Sequence, residues 1–286
     1  MADDFTLGPN RYGKSAVRVF KVHGAGVGVG VSDLTVQIAC EGDFAAVHAH
    51  GDNSPVVATD TMKNTVYAMA QDRLGPEIER FARVLVAHFL EFPQISGVRV
   101  EIEERPWTTI GAHRHAFTPA GAERRLARIT AGTMGDRVEA GIRELIVLKT
   151  AGSSFAGFPR DRYTTLPDAD DRILATAVTA EWRYRGHPDD YSATWHRVRT
   201  ALVESFASEP SRSVQEQGYL MGGAVLRAEA EVDEITLGLP NRHHLQVDLS
   251  RFGMDDRGVV FQPVDEPYGD IWVTVRRHEP EGTPGV

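Results

Sequence analysis

Hydrophobic and polar positions along the chain change their period several times, and each change predicts an element. Residues 16–22 (AVRVFKV) read as a strand, 24–30 (GAGVGVG) as a flexible turn, and 31–42 as a second strand that returns beside the first. A short helix is expected at 62–71. A stronger one is expected at 76–91, where Pro76 suits a first helical position and Ile78, Phe81, Ala82, Leu85 and Phe89 recur at helical spacing. Residues 98–104 (VRVEIEE) alternate, with Val98, Val100 and Ile102 on one face, and 110–118 read as their hairpin partner. The order is strand, strand, helix, helix, strand, strand.

The same order recurs. Strands are expected at 123–131 and 137–149, with an added one at 172–184. Helices follow at 191–207 and 213–229, then strands at 231–239, at 243–249, where Leu245, Val247 and Leu249 alternate, and at 271–277. The turn AGTMG at 131–135 is the natural boundary, giving halves 1–135 and 136–286. No repeat of residues accompanies the repeat of elements. The expected class is α+β: two tandem units, each an antiparallel sheet backed by two helices.

Composition narrows the function. The chain has 286 residues, 42% hydrophobic and 25% charged, ordinary for a globular protein. No run of about 18 apolar residues offers a membrane span. The net charge of −9 leaves no basic excess for nucleic acid. Cys40, the single cysteine, leaves no internal disulfide and no thiolate metal cluster. Met1–Asn10 does not read as a secretory signal, and the ending TPGV is not a peroxisomal SKL-type address, so the expected compartment is the cytoplasm. Of the 31 lysines and arginines, four are lysine: Lys14, Lys21, Lys63 and Lys149. The plain reading of that bias is a GC-rich coding sequence; since lysine can release its proton near neutral pH and arginine cannot, a lysine here is a slightly better candidate for proton transfer.

Two signals lead elsewhere. The glycine run at 24–30 lacks the third glycine of a dinucleotide fingerprint and no helix follows it, so it reads as a hairpin turn. His48/His50 and His113/His115 form two His-x-His pairs. On a strand such a pair shares one face and could contribute to a copper or zinc site if a third ligand converged. Two histidines on a polar strand face are more often simply hydrogen-bonded.

Five stretches then come in order: YGKSAVRV at 12–19, VATDTMKNTVYA at 57–68, FAGFPRDRYTTL at 155–166 with DDRIL at 170–174, SVQ at 213–215, and LPNRHHLQVDLS at 239–250. In sequence and spacing they resemble the urate oxidase (uricase) family. The chain departs from that pattern in its glycine-rich turn and at Ala156, where the family often has tryptophan. The resemblance implies two tunnelling-fold units per chain. It also implies a homotetramer whose sheets close into a tunnel-shaped β-barrel, with active sites shared between subunits. The implied substrates are urate and O2, with no cofactor.

It further implies a set of site residues. Arg172 would clamp the flat purine anion with two parallel N–H donors, and Gln215 would read its other edge through an amide. Phe155 would stack on the ring, and Val214 would offer its backbone N–H. Lys14 and Thr59 would relay a proton from urate, with the Thr59 and Asp60 N–H groups holding the imidazole side. Asn241 and His243 would hold oxygen, peroxide or water above the purine plane. Read without the resemblance, an arginine beside two aspartates is a surface ion pair, a phenylalanine is core, and a Thr-Asp pair before a helix is an N-cap. His243 shares strand parity with Leu245 and Val247, which alone marks a buried-side histidine. The rival enzyme class is a tunnelling-fold pterin or guanine-nucleotide enzyme, which needs a zinc ligand set or a purine-anchoring glutamate. The rival outside catalysis is an inactive purine-binding protein.

Overall fold

A computed structural model describes residues 5–24, 30–255 and 257–278. Most of the expected turn at 24–30 therefore lies outside the described residues. In chain order the elements are β1 (Tyr12–His23), β2 (Gly30–Gly42), α1 (Ala45–His50), α2 (Thr59–Arg73), α3 (Ile78–Leu90), β3 (Ile95–Glu104), β4 (Trp107–Ile110), β5 (His113–Pro119), β6 (Arg124–Gly132) and β7 (Arg137–Lys149). They continue with β8 (Leu174–Tyr184), α4 (Tyr191–Ser208), α5 (Val214–Ala228), β9 (Val232–Gly238), β10 (Asn241–Gln246), β11 (Phe261–Gly269) and β12 (Trp272–Arg276). The class is α+β. The chain forms two compact units: the residues up to Gly141 with Arg183–Ala193, and Ile142–Trp182 with the chain from Thr194 onward.

In the first unit, β1-β2-β3-β6 are successive neighbours, each pair antiparallel. The alternation read at 98–104 is realised, with Val98, Val100 and Ile102 fully buried. They meet α3, whose Phe81, Leu85 and Phe89 are also fully buried. Each such side chain contributes roughly 1.5–3 kcal/mol of burial. Helix α3 starts at Ile78 with Glu77 as its N-cap, so Pro76 lies before the first turn rather than in it.

The hairpin expected between 98–104 and 110–118 is not formed. β4 and β5 pair with each other in a separate two-stranded sheet, and the partner of β3 is β6. The second unit has the matching feature. There β8 neighbours β7 and β9, and β9 pairs with β12, while β10 and β11 are inserted between β9 and β12 in sequence. Setting the insertions aside, β1-β2-α2-α3-β3-β6 and β7-β8-α4-α5-β9-β12 are the same arrangement twice. α5 lies close to its sheet because Gly218 and Gly222 face it. A Cβ at Gly218 would come within 2.6 Å of Val273 Cγ1, and one at Gly222 within 2.6 Å of Val275 Cγ2.

The first strand of each repeat carries a non-glycine residue in the left-handed region, Ala16 in β1 and Glu144 in β7, both at φ 56°. In β1 this is a bulge: Lys14 pairs with Ile38 and Val17 with Val36, so Ser15 and Ala16 together oppose Gln37. Side chains alternate between faces, and the extra residue resets the alternation. Lys14 therefore joins Val17 and Val19 on the face covered by helices, as the burial of its neighbour Ile38 requires. In β7 the buried positions change parity across Glu144, from Ile142 to Leu145.

Candidate active site

The bulge brings Lys14 towards the start of α2. Tyr12, on the same strand, accepts a hydrogen bond on its hydroxyl from the Val57 N–H (2.8 Å) and packs edge-on against Phe44 (4.7 Å between centroids). That fixes the segment leading into Thr59. The helix begins at Thr59 itself, with Ala58 as N-cap and no side-chain cap bond. Thr59 is thus not the capping residue that its place before a helix suggested, and among the described residues its exposed hydroxyl has no hydrogen-bond partner. Asp60 is held below the usual carboxylate range, first by its hydrogen bond and charge pairing with Lys63, then by Asn64, with the charge of Lys14 also reaching it.

The four lysines now separate. Lys21 Nζ donates to the carbonyls of Ala70, Gln71 and Leu74 at 2.8, 2.9 and 2.7 Å, closing the C-terminal end of α2. Lys149 Nζ donates to the Glu209 carbonyl (2.9 Å) and Gln217 Oε1 (2.6 Å). Lys63 pairs with Asp60. Lys14 Nζ alone among them makes no hydrogen bond or ion pair among the described residues.

In the second unit, residues 152–155 bridge two segments. Phe155 and Ala169 exchange backbone hydrogen bonds at 2.8 and 2.9 Å, and the Arg172 N–H donates to the Ser153 carbonyl at 2.7 Å. On the other side, the Ser154 N–H donates to the Ser211 carbonyl (2.9 Å), and the Ser211 N–H to the Gly152 carbonyl (3.0 Å). Arg172 and the start of α5 are thereby drawn to one place. The Arg172 guanidinium lies over the Phe155 ring, 5.2 Å from its centroid, and Phe155 stacks on Phe158 at 4.9 Å. Arg172 is not in an ion pair with Asp170 or Asp171. Its Nε is buried without a partner among the described residues, and burial pulls its pKa down. It remains charged, so an unsatisfied buried donor awaits an acceptor.

Ser213 caps α5 by accepting the Glu216 N–H at 3.0 Å, which makes Val214 and Gln215 the first two helical residues. Val214 is buried, and the Gln215 side chain is exposed. Asn241 opens β10 between Thr176 of β8 and Gly269 of β11, and a register shift separates it from His243. β10 ends at Gln246, and Leu245 is 54% exposed, so the parity expected to place His243 on a buried face does not hold.

A family profile described as Uricase matches residues 10–130 and 138–272. The uricase of Arthrobacter globiformis is 44% identical over 272 residues, covering 95% of this chain and 90% of that protein. The uricase of Dictyostelium discoideum is 38% identical, covering 95% and 98%. The crystal structure of uricase from Arthrobacter globiformis superposes with a TM-score of 0.92 at 43% identity, covering 99% of this chain and 98% of that one. The chain belongs to the uricase family.

The two His-x-His pairs lie in different settings. His48 and His50 lie on helix α1, not a strand, so residues two apart do not share a face. His113 and His115 are on β5, 6.1 Å apart between centroids. Among the described residues no three His, Cys, Asp or Glu side chains are placed to hold a metal ion. Sequence reasoning missed Tyr12, the Ser153–Ser211 bridge and the bulge at Ala16. The Ser213 cap was findable, because Ser213-x-x-Glu216 is a capping-box signature. Glu216 also accepts from the Arg212 N–H (2.6 Å), and its hydrogen bonds to Arg212 lower its pKa to about 2.

Proposed function

We propose that this chain oxidises uric acid with O2 and water to 5-hydroxyisourate and hydrogen peroxide, the urate-degrading step toward allantoin, without a metal or organic cofactor. The observation that supports the assignment of roles is that, among the described residues, neither Lys14 Nζ nor the Thr59 hydroxyl has a bonding partner, while the other three lysines are bonded. Urate must lose a proton to become a dianion electron-rich enough to reduce oxygen. Thr59 passes that proton to Lys14, whose Nζ accepts it in its neutral form. The Thr59 and Asp60 N–H groups, free in the first turn of α2, hold the imidazole side.

Arg172 takes the pyrimidine-side carbonyl and adjacent nitrogen, which fills the vacancy at its Nε. Phe155 stacks on the purine, and Val214 N–H and Gln215 bind the opposite edge. Asn241 and His243 hold oxygen, then water, above the ring. In this reading the two repeats are tunnelling-fold units, and four chains close their sheets into a tunnel-shaped barrel. Lys14 and Thr59 of one chain then complete the Arg172 set of a neighbour. Exposed Leu245, Tyr268 and Trp272, at 54, 51 and 59%, suit burial against other copies.

The test is loss of the ultraviolet absorbance of urate with matching peroxide release, after dialysis against a strong chelator and elemental analysis. Sustained turnover is expected; activity that vanishes and returns with copper would overturn the cofactor-free reading. Arg172→Ala should chiefly raise KM, and Asn241→Ala chiefly lower kcat.

A further inference from the structure

A cavity of about 420 Å3, all of whose lining residues belong to the first unit, lies where α3, the turn between β6 and β7, and the segment after β8 meet. Its volume is in the range of small-molecule sites. None of Lys14, Thr59 and Asp60 lines it. Four arginines do, Arg83, Arg137, Arg183 and Arg185, against a single carboxylate, Asp136, in a chain whose net charge is −9.

Two of these arginines are uncompensated. Four other arginines of the unit sit on carboxylates: Arg18 on Asp33, Arg80 on Glu77, Arg125 on Glu79 and Arg128 on Glu101. Arg83 and Arg137 make no ion pair among the described residues. The Arg83 guanidinium hydrogen-bonds the Tyr191 hydroxyl and its charge reaches His187. His187 is held below its ordinary pKa by burial and then by the charge of Arg83, a sign of positive potential in the cavity. Asp136 accepts the Gly132 N–H at 3.2 Å rather than pairing with Arg137. Val86, Leu90 and Val138 form an apolar wall beside the charges.

We propose that this cavity binds a small organic anion with two or more negative charges, phosphoryl or carboxylate, anchored by Arg83 and Arg137 with its apolar part against Val86, Leu90 and Val138. Planar guanidinium forks match the oxygens of both groups. The site is separate from the urate chemistry, and its occupant would act as an effector or stabilising ligand.

The experiment is calorimetric titration and thermal melting of the full-length protein with inorganic pyrophosphate, citrate and adenosine diphosphate, each at ionic strength matched with sodium chloride. At least one probe should bind saturably and raise the melting temperature where sodium chloride does not. Pyrophosphate or adenosine diphosphate binding more tightly than citrate assigns phosphoryl; the reverse assigns carboxylate. Arg83→Gln with Arg137→Gln should weaken binding at least about tenfold, through lost charge-assisted hydrogen bonds. Asp136→Asn, which removes the opposing charge, should tighten it, and it keeps the test readable if the double variant does not fold. Absence of saturable binding by all three probes overturns the proposal. So does undiminished affinity in a folded double variant, or unchanged affinity in Asp136→Asn.

Discussion

β1 and β7 begin the two repeats with the same construction. Each bends through a left-handed residue, Ala16 or Glu144, and five residues later each presents a lysine, Lys21 or Lys149, to backbone carbonyl oxygen at or just beyond the end of a helix. They differ two residues before the bend. There β1 carries Lys14, with its ammonium unpaired among the described residues, and β7 carries Ile142, fully buried. The lysines after the bend maintain the scaffold, so duplication keeps both. The position before it carries an amine without a partner among the described residues in one repeat and a buried hydrocarbon in the other. Chemical type does not distinguish Lys14 from Lys21; what each Nζ touches does.

The division of labour between repeats is broken most directly by mixing inactive chains. Lys14→Ala and Arg172→Ala should each be almost inactive alone. Refolded together or co-expressed, they should recover roughly a quarter of wild-type activity, since one site in four takes its first half from an Arg172→Ala chain and its second half from a Lys14→Ala chain. No recovery, with mixed oligomers shown to have formed, means the sites are not shared between subunits.

The second test compares lysines. Lys14→Met should lower turnover about 10²–10⁴-fold with binding of an unreactive xanthine analogue retained. Lys21→Met is not the silent control that sequence alone suggests. It leaves three helix-end carbonyls without their donor and should lower stability by about 1–3 kcal/mol, with kcat little changed in the folded fraction. Lys149→Met should behave like Lys21→Met. Equal kinetic effects at Lys14 and Lys21 would remove the distinction drawn above.

The third compares the interiors. The first unit buries charge. Burial raises Glu104 to about 7, opposed by Arg125 and reinforced by Glu79 and Asp33. Its pKa is thus higher folded than unfolded, so the native state is favoured while the carboxyl is neutral. The contribution is fully present below about pH 4.5 and is lost as pH rises through about 7. Glu104→Gln should flatten the fall in melting temperature over that window and gain up to about 3 kcal/mol at pH 8. An unchanged pH profile would show that Glu104 does not set it.

The smallest effect tests the shared bend itself. Ala16→Gly and Glu144→Gly should each stabilise the protein slightly, by up to about 1 kcal/mol, because glycine adopts a positive φ without a Cβ clash. Opposite signs would mean that the two bends are held differently.

Periodicity alone made the long elements legible: the β1–β2 hairpin, α3, α4, α5 and the doubled order were all readable as patterns. What failed was pairing. Alternation is a local signal, and it does not say which strand lies alongside. In the first half the next segment was taken as the partner, and there an inserted hairpin intervenes, as β10 and β11 do in the second. β11 went unread because Pro263 and Pro267 interrupt it, which an outer strand tolerates. The identities of the site residues came from motif resemblance. Their surroundings did not, because Tyr12 acts on Val57, and Ser153 on Ser211, across distances no motif spans. The bend at Ala16 gave no signal either, since neither Ser15 nor Ala16 is a glycine.

That bend has a consequence at the level of the gene. Deleting one codon in a strand usually slides the register, and a loop can absorb the slip. Deleting codon 15 or 16 would instead erase the extra residue opposite Gln37. Lys14 could keep Ile38 opposite it and Val17 could keep Val36, so both flanks would stay on their own faces and only the bend between them would be lost. A protein library built with in-frame deletions should therefore contain, at this one place, variants that fold with every side chain of the strand on its own face and the strand straightened beneath Lys14. In comparing distant relatives, a one-residue gap placed here leaves the pairs on both flanks unchanged, which a gap elsewhere in the strand would not do.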